Sequence, residues 1–200
     1  MILRSSSASP FARKVRIAAH VLGLADEIEV VPADTSDPNE ALRAQNPLGK
    51  IPTLVLDDGQ SIYDSPVILE FLDHRAGAGR LIPLDASRFE VLTRAALADG
   101  VADAALLLVY EQRWRESTSH SARWLAHQSG KIARGLAALE ARASDPARID
   151  VASIALACTL GYLDLRFDGA WRADRKLLVN WLDAFSAKVP AFEATRHREA

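Results

Sequence analysis

Two kinds of hydrophobic spacing divide the chain. Up to about residue 75, short runs of strand-like alternation take turns with runs of helical spacing; beyond it only the helical spacing recurs. Ile2-Leu3 opens a strand, Phe11 to Leu24 carries apolar residues at Val15, Ala18, Ala19 and Leu22 as one helical face does, and Glu27 to Val31 alternates like a half-buried strand. Asp, Ser, Pro and Asn between Ala33 and Asn46 predict a loop with one brief helix. Thr53 to Leu56, the turn Asp57-Asp58-Gly59 and Ser61 to Tyr63 predict a hairpin, and Ser65-Pro66 starts a helix running to about Arg75. The order is β-α-β-(α)-β-β-α. Gly77-Ala78-Gly79-Arg80 closes that helix, which puts a domain boundary near residues 78–87. Helices are then expected from about Ser87 to Trp114, Ser121 to Ala143, Val151 to Leu165 and Asp174 to Lys188, the last with Leu178, Trp181, Leu182 and Phe185 on one face.

Composition narrows the function more than the fold. With 200 residues, 49% hydrophobic and 25% charged, the chain reads as a globular protein with a well-buried core. A net charge of -2 gives no field for neutralising phosphates, so a nucleic-acid partner is not expected. No apolar run reaches the roughly 18 residues of a membrane span, and the Met1-Ile2-Leu3-Arg4 start lacks the features of a secretory leader, so the cytoplasm is the expected location and no membrane partner is expected. Cys158 is the single cysteine and the five histidines lack ligand spacing, so neither an intrachain disulfide nor a metal site is expected. Any thiol chemistry must come with a ligand.

Three segments of the first half carry candidate chemistry: Ser9-Pro10-Phe11-Ala12, Asn46-Pro47-Leu48-Gly49-Lys50-Ile51-Pro52 and Asp64-Ser65. Pro10 suits the first position of a helix and Ser9 its N-cap, where the side-chain oxygen accepts a backbone N–H while the hydroxyl keeps a proton to donate. A plain cap is the alternative for such a pair. Ser65 reads as a second cap, whose hydroxyl and neighbouring free amides suit an anion, and Asp64 as a turn aspartate or a charge complement. Ile51-Pro52 is expected trans on the residues alone, and Lys50 is equally a solvated loop charge.

In this order and context the three segments resemble the cytosolic glutathione transferase family, and the likeness extends through Arg13-Lys14-Val15-Arg16 and Ala155 to Phe167. The resemblance implies an α/β, thioredoxin-like domain over residues 1–79, a linker over about 80–86 and an all-helical domain over 87–200. Ser9 and Ala12 stand where thioredoxin-like folds carry the two cysteines of Cys-Pro-x-Cys. That makes glutathione a co-substrate, with no separate cofactor, whose thiolate attacks a small electrophile in a homodimeric enzyme. Ser9 would hold the sulfur as an anion, with Ser5, Ser6 and Ser7 as rivals, and Phe11 would pack beside it. Lowering a thiol from about 8.5 to about 6.5 needs about 2.7 kcal/mol, within reach of one hydrogen bond to a charge plus a helix terminus.

The same resemblance implies a cis Ile51-Pro52 bond that presents the Ile51 backbone to the cysteinyl unit of glutathione, as an added strand. Lys50 would meet the glycine carboxylate, and Asp64 and Ser65 the γ-glutamyl end. The second-substrate pocket is expected along Gly100, Asp103, Ala104, Leu107 and Tyr110, of which the first four share a helical face, with Tyr162 approaching from a later helix. Asp99 or Asp103 is an alternative contact for the γ-glutamyl ammonium of a partner subunit. One departure is Asp150-Val151-Ala152-Ser153, which reverses the family's Ser/Thr-x-x-Asp and still suits a capping box. Thiol-disulfide reduction would need a protein cysteine at Ser9 or Ala12; a non-catalytic ligand-binding or interaction protein of the same fold is the remaining alternative.

Overall fold

The computed structural model describes residues 1–143 and 145–198. Strands β1 (Ile2–Ser5), β2 (Glu29–Pro32), β3 (Thr53–Val55) and β4 (Ser61–Ile62) form one sheet in the order β2-β1-β3-β4. β1 runs parallel to β2, with Leu3 opposite Val30, and antiparallel to β3, with Leu3 opposite Leu54. A parallel pair needs a crossover, and α1 (Pro10–Leu22) supplies it. Its apolar stripe of Val15, Ala18, Ala19 and Leu22 is buried in the core. Gly23 ends the helix at φ 76°, where a side chain is unfavourable, and the Leu24 amide donates across it to the Ala19 carbonyl at 2.8 Å.

A one-turn helix α2 (Leu42–Gln45) and α3 (Ser65–Arg75) complete the first half. Fold class and the element order of the first half are as the pattern predicts, a short helix near the end of the chain (Pro190–Ala194) comes in addition to the expected ones, and two element starts and one cap shift. The strand expected from Glu27 begins at Glu29, because Ala25–Glu27 is wound into a 3-10 turn closed by the Ile28 amide on the Ala25 carbonyl. The cap of α3 is Asp64, in extended conformation, and Ser65 is already the first helical residue. Pro66 brings no N–H and a fixed φ, so it sits comfortably in that first turn and shifts the cap one residue back. The third shift opens α7, described next.

Among the described residues of the second half, five α-helices follow: α4 (Arg88–Trp114), α5 (Ala122–Ala141), α6 (Val151–Phe167), α7 (Lys176–Lys188) and α8 (Pro190–Ala194). α6 is apolar nearly all round, and from Val151 to Leu160 every residue is buried, as befits a helix enclosed by α1 and α4. It starts on a reciprocal cap: the Ser153 amide donates to Asp150 Oδ1 at 2.8 Å and the Asp150 amide to Ser153 Oγ at 2.9 Å. α7 opens at Lys176 rather than Asp174 because Ala170–Ala173 forms a 3-10 turn after α6. Its buried face of Leu178, Trp181, Leu182 and Phe185 meets α8, where the Phe185 and Phe192 rings pack edge to face at 5.9 Å.

Between the halves, the buried carboxylate of Asp73 accepts the amides of Gly79, Arg80 and Leu81 at 2.9, 3.0 and 2.6 Å, fixing the turn after α3. No helix among the described residues is long and apolar enough to cross a membrane. Because the Asp150 cap is itself buried, Asp150→Ala removes the carboxylate that accepts the Ser153 amide and pairs with Arg148, while the return bond from the residue-150 backbone amide can remain. It should lower unfolding free energy by about 1–2 kcal/mol, read as a drop in the urea midpoint with unchanged slope.

Candidate functional site

The site begins where β1 gives way to α1. Ser9 is in extended conformation (φ -79°, ψ 122°), its Oγ accepts the Ala12 amide at 3.2 Å and its own amide donates to the Ser6 carbonyl at 3.1 Å. The hydroxyl proton is therefore unspent, and the α1 N-terminus adds its positive dipole end. The neighbouring serines sit differently. Ser5 is buried with its hydroxyl unpartnered among the described residues, Ser6 is half-buried, and Ser7 is exposed with its Oγ 2.7 Å from His197 Nδ1. Phe11 is half-buried on the first turn of α1 with the Lys14 ammonium 5.6 Å from its ring centre.

The second segment is organised by Asn46, a residue whose side chain the sequence reading did not use. Its buried amide donates to the Lys50 carbonyl at 3.0 Å and to Thr53 Oγ1 at 3.1 Å, while its Oδ1 accepts the Leu48 amide at 3.0 Å. The Asn-Pro pair opening a loop is the signal that points to it. The Ile51–Pro52 peptide is cis, Pro52 is buried, and Ile51 makes no backbone hydrogen bond among the described residues. Lys50 is exposed beside it. Across the same edge Asp64 is exposed and Ser65 buried at the start of α3.

Asp103, exposed on α4, feels this edge. Its carboxyl is pushed up from the ordinary aspartate range by partial loss of solvent and by repulsion from Asp99, while Lys50 and Lys14 pull the other way and Asp64 adds repulsion. Asp99 itself is committed: both its oxygens receive the buried Lys14 ammonium, at 2.6 and 2.7 Å. It is thus an ion-pair partner within the chain. The preceding residue, Arg13, is buried too. Its guanidinium donates to the Phe192 carbonyl at 2.5 Å and to Thr195 Oγ1 at 3.3 Å and lies 4.1 Å over the Phe192 ring. Gly161 makes room for it: a Cβ there would come within 2.6 Å of Arg13 Nη1.

Beside Ser9 opens a cavity of about 330 Å³, between the β1–α1 loop and helices α6, α7 and α8. Ser7, Ser9 and Pro10 line it from the first half; Tyr162, Leu165 and His197 line it from the second. Of the six residues expected around a second substrate, Tyr162 is on this wall. Gly100, Asp103 and Leu107 are exposed along α4 and Tyr110 is half-buried there, while Ala104, on the same spacing, turns into the bundle. Arg13, Lys14 and His197 were not singled out as site residues, since each acts through a partner far along the chain. Among the described residues no cluster of three His, Cys, Asp or Glu side chains is placed to hold a metal.

A serine-capped helix after the first strand, a cis-proline loop before the third and an all-helical second half define a thioredoxin-like domain carrying a helical domain. The chain belongs to the glutathione S-transferase family: the family's N-terminal domain matches residues 8–75 and its C-terminal domain residues 122–184. It is similar to the uncharacterized GST-like protein YibF of Escherichia coli K12, with 35% identity over 92% of each chain. A glutathione transferase family member from Pseudomonas fluorescens Pf-5, solved with bound glutathione, superposes with a TM-score of 0.92 at 42% identity over 99% of each chain. A glutathione S-transferase from Methylobacillus flagellatus KT, solved with GSH bound, gives 0.89 at 36% identity over 98% of this chain and 99% of that one.

Cys158 faces the cavity from the middle of α6 but is 1% exposed, and burial pushes its thiol up to about 12, with Arg13 pulling partly back. The thiol is raised above its unfolded value of about 8.5. Its contribution to stability is thus complete below that value and is lost as the pH climbs towards 12. Protonated and enclosed, it should resist a chromogenic disulfide reagent in the folded protein at pH 8 and react with one equivalent once urea unfolds the chain.

Proposed function

We propose that this protein is a glutathione transferase, which binds glutathione along the β1–α1 loop, the cis-proline loop and the start of α3 and activates its thiol for attack on a small electrophile. The observation that carries this reading is Ser9. Its oxygen already accepts the Ala12 amide, so its proton is free for a sulfur anion at the mouth of α1. The Ile51 backbone, without a hydrogen bond among the described residues next to a cis proline, suits pairing with an extended tripeptide. Lys50 supplies charge for a carboxylate at one end, while Asp64, the Ser65 hydroxyl and the first amides of α3 serve the γ-glutamyl end. Phe11 covers the sulfur from the side of α1. Glutathione bound in the relatives from Pseudomonas fluorescens and Methylobacillus flagellatus supports the choice of tripeptide.

A homodimer completes the proposal. Phe89, 75% exposed at the start of α4, and Val67, 48% exposed on α3, flank the Arg88–Glu70 ion pair that joins these helices, and they offer apolar surface for a second copy.

Replacing Ser9 by Ala should raise the apparent thiol pKa of bound glutathione by about 1–2 units, the value of one hydrogen bond to a charge. The thiolate absorbance of the complex, titrated against pH, reads this directly. Equal pKa values for both proteins would take Ser9 out of the chemistry. Binding of glutathione without turnover across a broad panel of electrophiles would leave a binding protein instead of an enzyme.

A further inference from the structure

The net charge of -2 conceals an uneven distribution. Between Arg113 and Leu139 lie five of the 24 arginines and lysines and one of the 26 acidic residues, so that this stretch carries +4 and the remainder of the chain -6. From Ser117 to Leu139 there is no acidic residue at all. Most of the stretch is α5, which turns Leu136 and Leu139 into the core. Arg123, His127, Lys131 and Arg134, four, four and three residues apart, form one exposed stripe away from that face. The ion pairs among the described residues leave its three cations out. The acids at either end are engaged: Glu111 is buried, accepting the Ser121 amide at 3.0 Å and pairing with Arg115, and Glu140 pairs with Arg175 at 3.1 Å. Gly130 leaves a gap in the stripe where a Cβ would lie 3.0 Å from Arg134 Nη1, so the guanidinium is laid back along the helix. At the other end two indoles face solvent: Trp114, which closes α4, is 63% exposed, and Trp124, in the first turn of α5 and stacked on His127, is 39% exposed. Trp171 and Trp181 are buried.

We propose that α5 and the end of α4 form a docking face for an anionic lipid bilayer, on which Arg123, Lys131 and Arg134 meet phosphate-bearing headgroups while Trp114 and Trp124 enter the interface. Cations aligned without counter-charges repel one another, and an anionic surface laid over them relieves that repulsion. An indole pairs an apolar body with one N–H, which suits the boundary between headgroups and acyl chains. A bilayer fits this face better than a folded acidic protein does. The positions beside the cations are Ala126, Gly130, Ala137 and Ala138, side chains too small to anchor in a partner's pocket. It also fits better than a nucleic-acid duplex, whose phosphate backbone offers exposed indoles no apolar edge to enter. The association is peripheral and salt-sensitive, resting on three cations and two rings and on no spanning segment. None of these residues belongs to the candidate glutathione site, so the docking face and the transferase reading stand or fall separately.

The test spins the full chain with sucrose-loaded vesicles, either of phosphatidylcholine alone or of equal parts phosphatidylcholine and phosphatidylserine. The protein should sediment with the mixed vesicles at about 0.1 M salt, stay in solution with phosphatidylcholine alone, and be released at about 1 M salt, where screening leaves a reach of only about 3 Å. Arg123→Glu combined with Lys131→Glu should weaken binding to the mixed vesicles by about tenfold or more, and the milder Arg123→Gln with Lys131→Gln should fall between that pair and the wild type. Lys176→Glu with Lys188→Glu makes the same change of net charge at two exposed positions of α7 and should leave binding within about twofold. Tryptophan emission should shift to the blue on the mixed vesicles, and Trp114→Phe with Trp124→Phe should abolish the shift, since the two remaining indoles are buried already. No binding to the mixed vesicles, equal binding to both kinds, or equal losses from the α5 and α7 pairs would each overturn the proposal. Binding to polyglutamate or duplex DNA but not to vesicles would overturn it too, and would hand the face to an acidic protein or a nucleic acid.

Discussion

Two adjacent cations on α1 fix how the halves of the molecule meet. Arg13 and Lys14 are buried, and a buried charge costs several kcal/mol unless it is paired and hydrogen-bonded. Their partners lie on opposite sides: Asp99 on α4 takes Lys14, and the carbonyl and ring of Phe192 with Thr195, at and just beyond α8, take Arg13. A sliding of α1 by one residue would strand both at once. The docking is therefore specific in a way that apolar contact alone would not make it. Ser9 sits one turn before these residues on the same helix, so its place against α6 and α8 is inherited from them.

The same pairing shapes the field at the site. Without Lys14, Asp99 and Asp103 would be two like charges one helical turn apart on α4. Lys14 offsets Asp99 in contact, and the exposed Asp103 carboxyl, short of solvent and still repelled by Asp99, holds its proton more tightly than usual. It faces a lysine and a second aspartate across the cleft rather than a concentrated charge of one sign. Such a mixed edge fits a zwitterionic ligand better than a simple anion. On the other side of Ser9, the Arg13 guanidinium enters the apolar surroundings of α6 with the Phe192 carbonyl and Thr195 as partners and with glycine at position 161 to make room.

What the sequence disclosed is what depends on neighbours along the chain. The change of hydrophobic period marks the passage from sheet to helices, Ser9 with Pro10 marks the start of α1, and Asp150 with Ser153 marks the cap of α6, all within four residues. The position of Asp64 as cap of α3 was a near miss of one residue, decided by whether Pro66 takes the first or second helical place. Spacing also put Ala104 on one face with Gly100, Asp103 and Leu107. A three- and four-residue rhythm fixes a face but not which neighbour covers each part of it, and α4 buries that one position in the bundle while its companions stay exposed.

The remainder of the site was illegible for a reason that can be stated in residue separations. Lys14 and Asp99 are 85 positions apart, Arg13 and Thr195 are 182, and Ser7 and His197 are 190. No local propensity encodes such pairs; each exists because α1 is laid between α4 and α8. Once that packing is given, the rest follows from sequence separation: His197 follows Phe192 by only five positions, and Phe192 is held over Arg13. His197 is thereby confined to the neighbourhood of the β1–α1 loop, where Ser7 is exposed to receive it. The cavity beside Ser9 thus owes its wall to the same guanidinium that sets the domain contact, and its lining joins Ser7 and Ser9 to His197.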